Sequence, residues 1–166
     1  MEQDKAATFK KNNASTFWLY VDSRQHHDLQ GEVWHELSGD VFRYVSVQQL
    51  LLFVDRHLDR YGYLPPTHRM RRWTGQADWS DEEEFTVSPR LRKKEQATIP
   101  SFVVRVQFRQ NATWQGTIQW LEGGQTTAFR STLELIRLME QVVDQCDLPG
   151  SEVDEQDGEW AEAQEN

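Results

Sequence analysis

The chain has 166 residues and a formal net charge of −9, and 37% of its residues are hydrophobic. This length fits one compact unit or at most two small ones. No stretch approaches the roughly eighteen apolar residues of a membrane-spanning helix, and residues 1–13 lack the apolar core of a secretion signal. A single cysteine, Cys146, excludes an intramolecular disulfide and a cysteine-rich zinc site. We therefore expect a cytoplasmic protein that does not contact a membrane.

An internal repeat follows an N-terminal stretch, residues 1–14, that we expect to be flexible. Residues 17–36, FWLYVDSRQHHDLQGEVWHE, match residues 102–121, FVVRVQFRQNATWQGTIQWL, at an offset of 85 positions. The two copies share Phe, Val, Arg-Gln and Gln-Gly in register. The match indicates a duplication whose halves pack together.

Each copy is predicted to begin with three strands. Residues 102–108 place Phe and Val at every second position, which is the period of a strand. Second strands are predicted at 32–37 and 115–121, and third strands at 41–44 and 126–130. Arg-Gln would end the first strand, and the glycine of Gln-Gly would permit a bulge or a close backbone approach. We interpret the repeated letters primarily as part of a hairpin and not as a binding motif.

A helix is predicted after each group of strands. Ser46 with Gln49, and Ser131 with Glu134, have the spacing of capping boxes. Apolar residues at helical spacing follow both motifs. Because three strands and one helix leave apolar surface uncovered, we predict an α+β fold in which two βββα repeats form one antiparallel sheet with two helices on one face.

The predicted repeats, residues 15–62 and 101–147, are separated by a charged connector, residues 63–100. The connector contains seven basic residues, six acidic residues and two tryptophans. A disordered acidic tail is predicted over residues 148–166. Residues 138–166 hold ten acidic and no basic residues, so the remainder of the chain is nearly neutral. The tail either keeps the protein soluble or docks on a basic surface of this chain or of a partner.

The face of the sheet opposite the helices is the candidate site. If the helices cover the face that bears Phe17 and Phe102, alternation places on the open face Trp18, Tyr20, Arg24, Trp34, Arg105, Gln107 and Arg109. Trp, Tyr and Arg are favoured anchors at protein interfaces. On an open sheet they also stack on bases and neutralise phosphates of single strands. A third possibility is that the connector or a second subunit covers this face.

We predict a non-catalytic binding module that acts through the open sheet face on a protein partner or on a second copy as a homodimer. The alternative is binding of single-stranded nucleic acid, regulated by the acidic tail, with stacking by Trp18, Tyr20 and Trp34 and phosphate contacts from Arg24, Arg105 and Arg109. A further alternative is a phage-type inhibitor that mimics nucleic acid, although the charge lies in the tail and not on the folded surface.

Two sheet-then-helix repeats in one domain resemble the Whirly and PUR-repeat group of single-strand nucleic-acid binders. Residues 104–116, VRVQFRQNATWQG, are similar to a PUR-repeat strand that ends in a basic-Gln-Asn-Ala run before a glycine, whereas the first copy has RQHHDLQG. Those families use four strands per repeat, and three are predicted here. Residues 102–143 also resemble segments of bacterial proteins with the same TWQGT and FRS patterns, which imply no function.

No catalytic residue, cofactor or metal site is predicted. His26, His27 and His35 are interpreted as surface residues, because no Asp or Glu lies at a recognised ligand spacing from them. Gly123-Gly124 lacks the flanking residues of a phosphate loop, and the chain contains no nucleophile elbow. We interpret Cys146 as a packing thiol, because no histidine is near it in sequence.

Overall fold

The computed structural model describes residues 14–61, 64–67, 100–146 and 148. Nearly all of the predicted N-terminal segment, charged connector and acidic tail lies outside them.

The described chain contains six strands and two helices in the order βββαβββα. The first half comprises β1 (Thr16–Gln25), β2 (Asp28–His35), β3 (Val41–Tyr44) and α1 (Val47–Tyr61). The second half comprises β4 (Ser101–Phe108), β5 (Gln115–Trp120), β6 (Gln125–Phe129) and α2 (Thr132–Val143). The elements appear in the predicted order, and β2 begins four residues before the predicted start at position 32 and ends two residues before the predicted end at position 37.

The strands form one antiparallel sheet in the order β3-β2-β1-β4-β5-β6. The two halves meet at the centre of the sheet, where Phe17 of β1 lies opposite Val104 of β4. Each half contributes three neighbouring strands to one side of this junction. The predicted α+β class with a single antiparallel sheet and two helices is confirmed, and the duplication remains our interpretation of the matching sequences.

Both helices pack on the same face of the sheet. The two central strands contribute to this face six side chains that are at most 2% exposed, namely Phe17, Leu19, Val21, Phe102, Val104 and Val106. The helices contribute to the same cluster Leu50, Phe53, Val54, Leu58, Leu135, Met139 and Val143. Each such side chain stabilises the fold by about 1.5–3 kcal/mol relative to its exposed state. This cluster therefore fixes which face of the sheet the two helices leave uncovered, and this face is called the open face below.

Both helices begin at the predicted capping residues. Ser46 Oγ accepts a hydrogen bond from the backbone N–H of Gln49 at 3.2 Å, and Ser131 Oγ accepts one from Glu134 at 3.1 Å. The side chains of Gln49 and Glu134 accept in return from the backbone N–H of the residue before each serine, at 3.1 and 2.7 Å. These bonds satisfy backbone donors that the first helical turn leaves unpaired.

Each half contains a bulge near the end of its first strand. The register between β1 and β2 shifts between Val21 and Ser23, and the register between β4 and β5 shifts between Val106 and Phe108. A bulge adds a residue to one strand only, so it inverts the alternation of the side chains that follow. Residues beyond each bulge therefore face the side of the sheet opposite to the one that simple alternation predicts.

The glycine of each Gln-Gly pair lies where a close backbone approach leaves no room for a side chain. A Cβ atom on Gly31 would lie 1.8 Å from the carbonyl oxygen of Tyr20. A Cβ atom on Gly116 would lie 1.9 Å from the carbonyl oxygen of Arg105. The prediction that these glycines permit a bulge or a close backbone approach is confirmed.

The two hairpin turns between the first and second strands also share a backbone conformation. His26 and His27 have φ values of 49° and 63°, and their counterparts Asn111 and Ala112 have φ values of 55° and 56°. Two consecutive positive φ angles are what a type I′ turn requires. The repeated letters around these turns therefore correspond to repeated backbone geometry.

Candidate binding surface on the open sheet face

A row of apolar side chains crosses the open face of the sheet. The strand registers place Val41 beside Trp34, Trp34 beside Trp18, and Trp18 beside Val103. The ring centroids of the two tryptophans are 5.8 Å apart and their planes are tilted by 34°. All four side chains, here called the apolar row, are partly exposed. A contiguous apolar surface of this kind is typical of an interaction site.

The same row becomes polar in the rest of the second half. Val103 pairs with Gln119, which in turn pairs with Thr126, and both polar residues are exposed. The apolar surface therefore lies over the first half and ends at the first strand of the second half.

Carboxylates border the apolar row. The indole Nε1 of Trp18 donates a hydrogen bond to Glu36. Glu32 lies beside Arg43 in the next row of side chains, and Arg43 forms an ion pair with Asp22 at 2.7 Å. The hydrogen bond to Asp22 raises the pKa of the Arg43 guanidinium. Glu36 therefore contacts Trp18, Glu32 lies in the row of side chains next to the tryptophans, and Asp22 neutralises Arg43.

Three further residues of the predicted site remain accessible. Tyr20 is partly exposed on the same face as the tryptophans. Arg105 is exposed, and its Nε donates a 3.4 Å hydrogen bond to Thr16 Oγ1. Gln107 is the extra residue of the second bulge and is also exposed. The structure thus brings Tyr20 and Arg105 onto the face that carries the tryptophans and places Gln107 at its margin.

Arg24 does not lie on the open face, so its predicted placement is wrong. It follows the first bulge, and its register partner in β2 is the buried Leu29. Its guanidinium forms an ion pair with Asp144, the residue that caps the end of α2. The inverted alternation has moved Arg24 to the side of the sheet that carries the helices.

The predicted placement of Arg109 is wrong for the same reason, because Arg109 follows the second bulge and is only 7% exposed. Its guanidinium forms ion pairs with Asp55 at 2.7 Å and Asp59 at 2.5 Å, both on α1, and donates to the Leu64 carbonyl at 3.2 Å. Its own carbonyl accepts from the backbone N–H of Thr67 at 3.0 Å. Arg109 therefore ties residues 64–67 and α1 to the second half.

The two arginines form crossed ion pairs between the halves. Arg24 and Arg109 occupy equivalent positions at the 85-residue offset, and so do Asp59 and Asp144. Each arginine binds the aspartate on the helix of the other half. These crossed pairs could have been predicted from the repeat alignment, because it places both arginines and both aspartates at matching positions.

His35 is fully buried, so its interpretation as a surface residue is wrong. Its Nε2 donates to the Ala14 carbonyl at 3.0 Å, and its Nδ1 lies 2.8 Å from Ser38 Oγ. Its ring centroid lies 4.9 Å from that of His57, whose Nε2 donates to Asp40 at 3.0 Å. Burial lowers the pKa of His35 to about 4. The neutral ring therefore serves as a core side chain.

We expect acid to destabilise the fold between pH 6.5 and pH 4 because of His35. Its pKa falls from 6.5 in the unfolded chain to about 4 in the folded one, so in this window the unfolded chain binds more protons. The stability is fully present above pH 6.5 and is lost as the pH falls to 4, by about 3 kcal/mol. Urea unfolding of the wild type and of His35→Asn across this range measures the loss. Equal pH slopes for the two proteins would contradict the assignment.

No group of three or more His, Cys, Asp or Glu side chains in the described ranges is placed to hold a metal ion. None of the helices that the structure describes is long and apolar enough to cross a membrane. Burial, and then the charge of Glu122, raise the pKa of the Cys146 thiol. A thiol with a raised pKa is a weak nucleophile at neutral pH.

The described geometry defines an α+β protein with a six-stranded antiparallel sheet that carries an apolar row with an acidic border on the face opposite its helices. Comparisons with protein-family models, with curated proteins and with solved structures each return no match.

Proposed function

We propose that this protein is a non-catalytic binding module that acts through the apolar row on the open sheet face. Its ligand is a segment of a protein partner, or of a second copy of the chain, that presents apolar side chains next to Lys or Arg. Tryptophan and tyrosine supply large contact areas at little conformational cost, which makes them common anchors of protein interfaces.

The difference between the two halves is the observation that carries this proposal. At the 85-residue offset, the counterparts of Trp18, Tyr20 and Trp34 are Val103, Arg105 and Gln119. Both sets occupy the open face of similarly paired strands. The fold therefore forms without aromatic rings at these positions in the second half. Aromatic rings that occur on one half only of an otherwise repeated surface are not needed for folding, which supports a role for them in binding.

The acidic border defines the charge of the ligand. Glu36 bonds to Trp18, Glu32 lies in the neighbouring row of side chains, and Arg43 is already paired with Asp22. Complementary charge across an interface favours the correct partner and speeds association. A segment in which Lys or Arg flanks an apolar anchor would match both parts of the surface.

Binding of single-stranded nucleic acid has less support. That hypothesis assigned three arginines to phosphate contacts, and two of them, Arg24 and Arg109, form ion pairs on the helix side. The carboxylates beside the tryptophans would repel a phosphate backbone. We therefore place a protein ligand first.

Selection of peptides from a random display library against the full chain tests the proposal. We expect the enriched peptides to combine aromatic or aliphatic residues with Lys or Arg. The double variant Trp18→Ala/Trp34→Ala should bind these peptides about tenfold or more weakly, since central aromatic anchors carry most of an interface's binding energy. Titration of labelled peptides by fluorescence anisotropy measures the change.

The matched control is Gln119→Ala, which alters the counterpart of Trp34 in the other half and should leave the affinity unchanged. Peptides that bind the double variant as tightly as the wild type would contradict the proposal. So would tight binding of an unstructured oligonucleotide that requires both tryptophans while no peptide is enriched. The latter result would establish the nucleic-acid alternative.

A further inference from the structure

The outer strand β6 is an exposed edge of the sheet. Among the described residues it pairs on one side only, with β5. Its first four residues, Gln125–Ala128, are all exposed and carry no charge. Natural edge strands are commonly protected from pairing by charged residues, prolines or bulges. The opposite edge, β3, is a four-residue strand that includes the exposed Arg43.

The sheet register shows which backbone groups of β6 point outward. The backbone N–H of Leu121 donates to the Ser101 carbonyl, which makes these two residues a hydrogen-bonded pair between β4 and β5. Hydrogen-bonded and non-hydrogen-bonded pairs alternate along an antiparallel ladder, and each residue bonds to one neighbour only. Leu121 and, in β5, Gln119 and Thr117 therefore bond to β4, and the residues between them bond to β6. The partners of Gln119 and Thr117 in β6 are Thr126 and Ala128, so the backbone N–H and C=O groups of these two residues point away from the sheet.

We propose that two copies of this chain form a dimer by antiparallel pairing of β6 with β6 of the second copy. A two-fold axis at Thr127 would place Thr126 of each copy opposite Ala128 of the other. Each of these two pairs would form two backbone hydrogen bonds. The two sheets would become one continuous sheet, and both unpaired edges would be satisfied by the same contact.

The composition and register of β6 favour a second copy as the occupant. The exposed segment Gln125–Ala128 carries no charge, so an antiparallel self-pair brings no like charges face to face. The outward N–H and C=O groups of Thr126 and Ala128 lie symmetrically about Thr127, so a second β6 strand offers an acceptor for each donor. The charges that flank the strand are engaged within the chain, because Glu122 accepts a hydrogen bond from the backbone N–H of Ser101 at 3.0 Å and Arg130 lies 3.7 Å from Glu134.

Two variants that introduce opposite charges at Thr127 test this dimer. Sedimentation velocity of the full chain should give a mass twice the 19.6 kDa of one chain. Thr127→Lys and Thr127→Glu should each be monomeric, because the axis would place two like charges directly opposite each other. An equimolar mixture of the two variants should recover the dimer, which also shows that both variants are folded.

The double variant Trp18→Ala/Trp34→Ala is the control, and it should remain dimeric because the apolar row takes no part in this contact. A monomeric wild type would overturn the inference, and so would a mixture of the charge variants that stays monomeric. A dimer that persists in Thr127→Lys but is lost in the tryptophan variant would show that the two copies associate through the open face and not through β6. Failure of peptide binding leaves this result unaffected, so the two proposals are tested separately.

Discussion

Replacing Gly116 by alanine is expected to lower the free energy of unfolding by about 3 kcal/mol or more. The new Cβ atom would lie 1.9 Å from the carbonyl oxygen of Arg105 and 3.1 Å from the ring of Phe129. The first contact is with the backbone of a central strand, which cannot move without disturbing its pairs with β1 and β5. Gly31→Ala should cost a similar amount, because its Cβ atom would lie 1.8 Å from the Tyr20 carbonyl oxygen.

Gly124→Ala is the matched control for this prediction. No atom lies within 4 Å of a Cβ atom built there, and its φ of +61° makes the substitution unfavourable for conformational reasons alone. That strain costs about 1–2 kcal/mol. Urea denaturation of the three variants separates the two effects. If Gly116→Ala were no less stable than Gly124→Ala, the close backbone approach would not be the reason for the repeated glycine.

Arg109→Ala is expected to destabilise the fold by about 3 kcal/mol, because it removes a buried guanidinium with several charged hydrogen bonds, although the two carboxylates left behind stay partly exposed to water. The arginine side chain is 6% exposed and bonds to Asp55, Asp59 and the Leu64 carbonyl. Its loss leaves the partly buried Asp55 with the 3.2 Å hydrogen bond from Trp114 Nε1. Amide hydrogen exchange at Thr67 should also accelerate, since its N–H is held by the Arg109 carbonyl.

Arg24→Ala provides the comparison within the same chain. The side chains of its ion pair are 22% and 59% exposed, so solvent screens the interaction and the expected loss is at most about 1 kcal/mol. Chemical denaturation of both arginine variants gives the two losses directly. Equal losses would contradict the difference in burial between the two crossed pairs. A double-mutant cycle of Arg109 with Asp59 isolates the share that belongs to their contact.

The parts of the fold that the sequence predicted depend on local patterns. Alternation identified the central strands, and the serines at positions 46 and 131 identified both helix starts. The predicted placement of Arg24 and Arg109 was wrong because a one-residue bulge moves every later side chain of the strand to the opposite face of the sheet. The repeated glycines suggested an irregularity but did not give its position in the strand.

The burial of His35 could not be predicted from its neighbours in sequence. Its hydrogen-bond partners are Ala14 and Ser38, and its ring packs beside His57 of α1. Two of these three residues come from other parts of the chain that only the tertiary fold brings together. A histidine in an alternating strand otherwise resembles any polar surface residue.

The candidate site was predicted in part. Alternation correctly placed Trp18, Tyr20 and Trp34 together, since all three precede the bulge in β1 or follow the glycine in β2. The acidic border was not foreseen, because Glu36 reaches Trp18 only across the paired strands. Comparison of the two aligned copies would have shown that the aromatic residues belong to one half.

Mapping of the ligand contact by two-dimensional ¹H–¹⁵N NMR of the full chain tests the central claim most directly. Titration with a peptide that carries an aromatic anchor between lysines should shift the indole N–H signals of Trp18 and Trp34 and the amide signals of Val41 and Val103. Amide signals of α1 and α2 should stay in place, because the helices cover the opposite face. Shifts confined to the helices or to β6, with both indole signals unchanged, would show that the open face is not the binding surface.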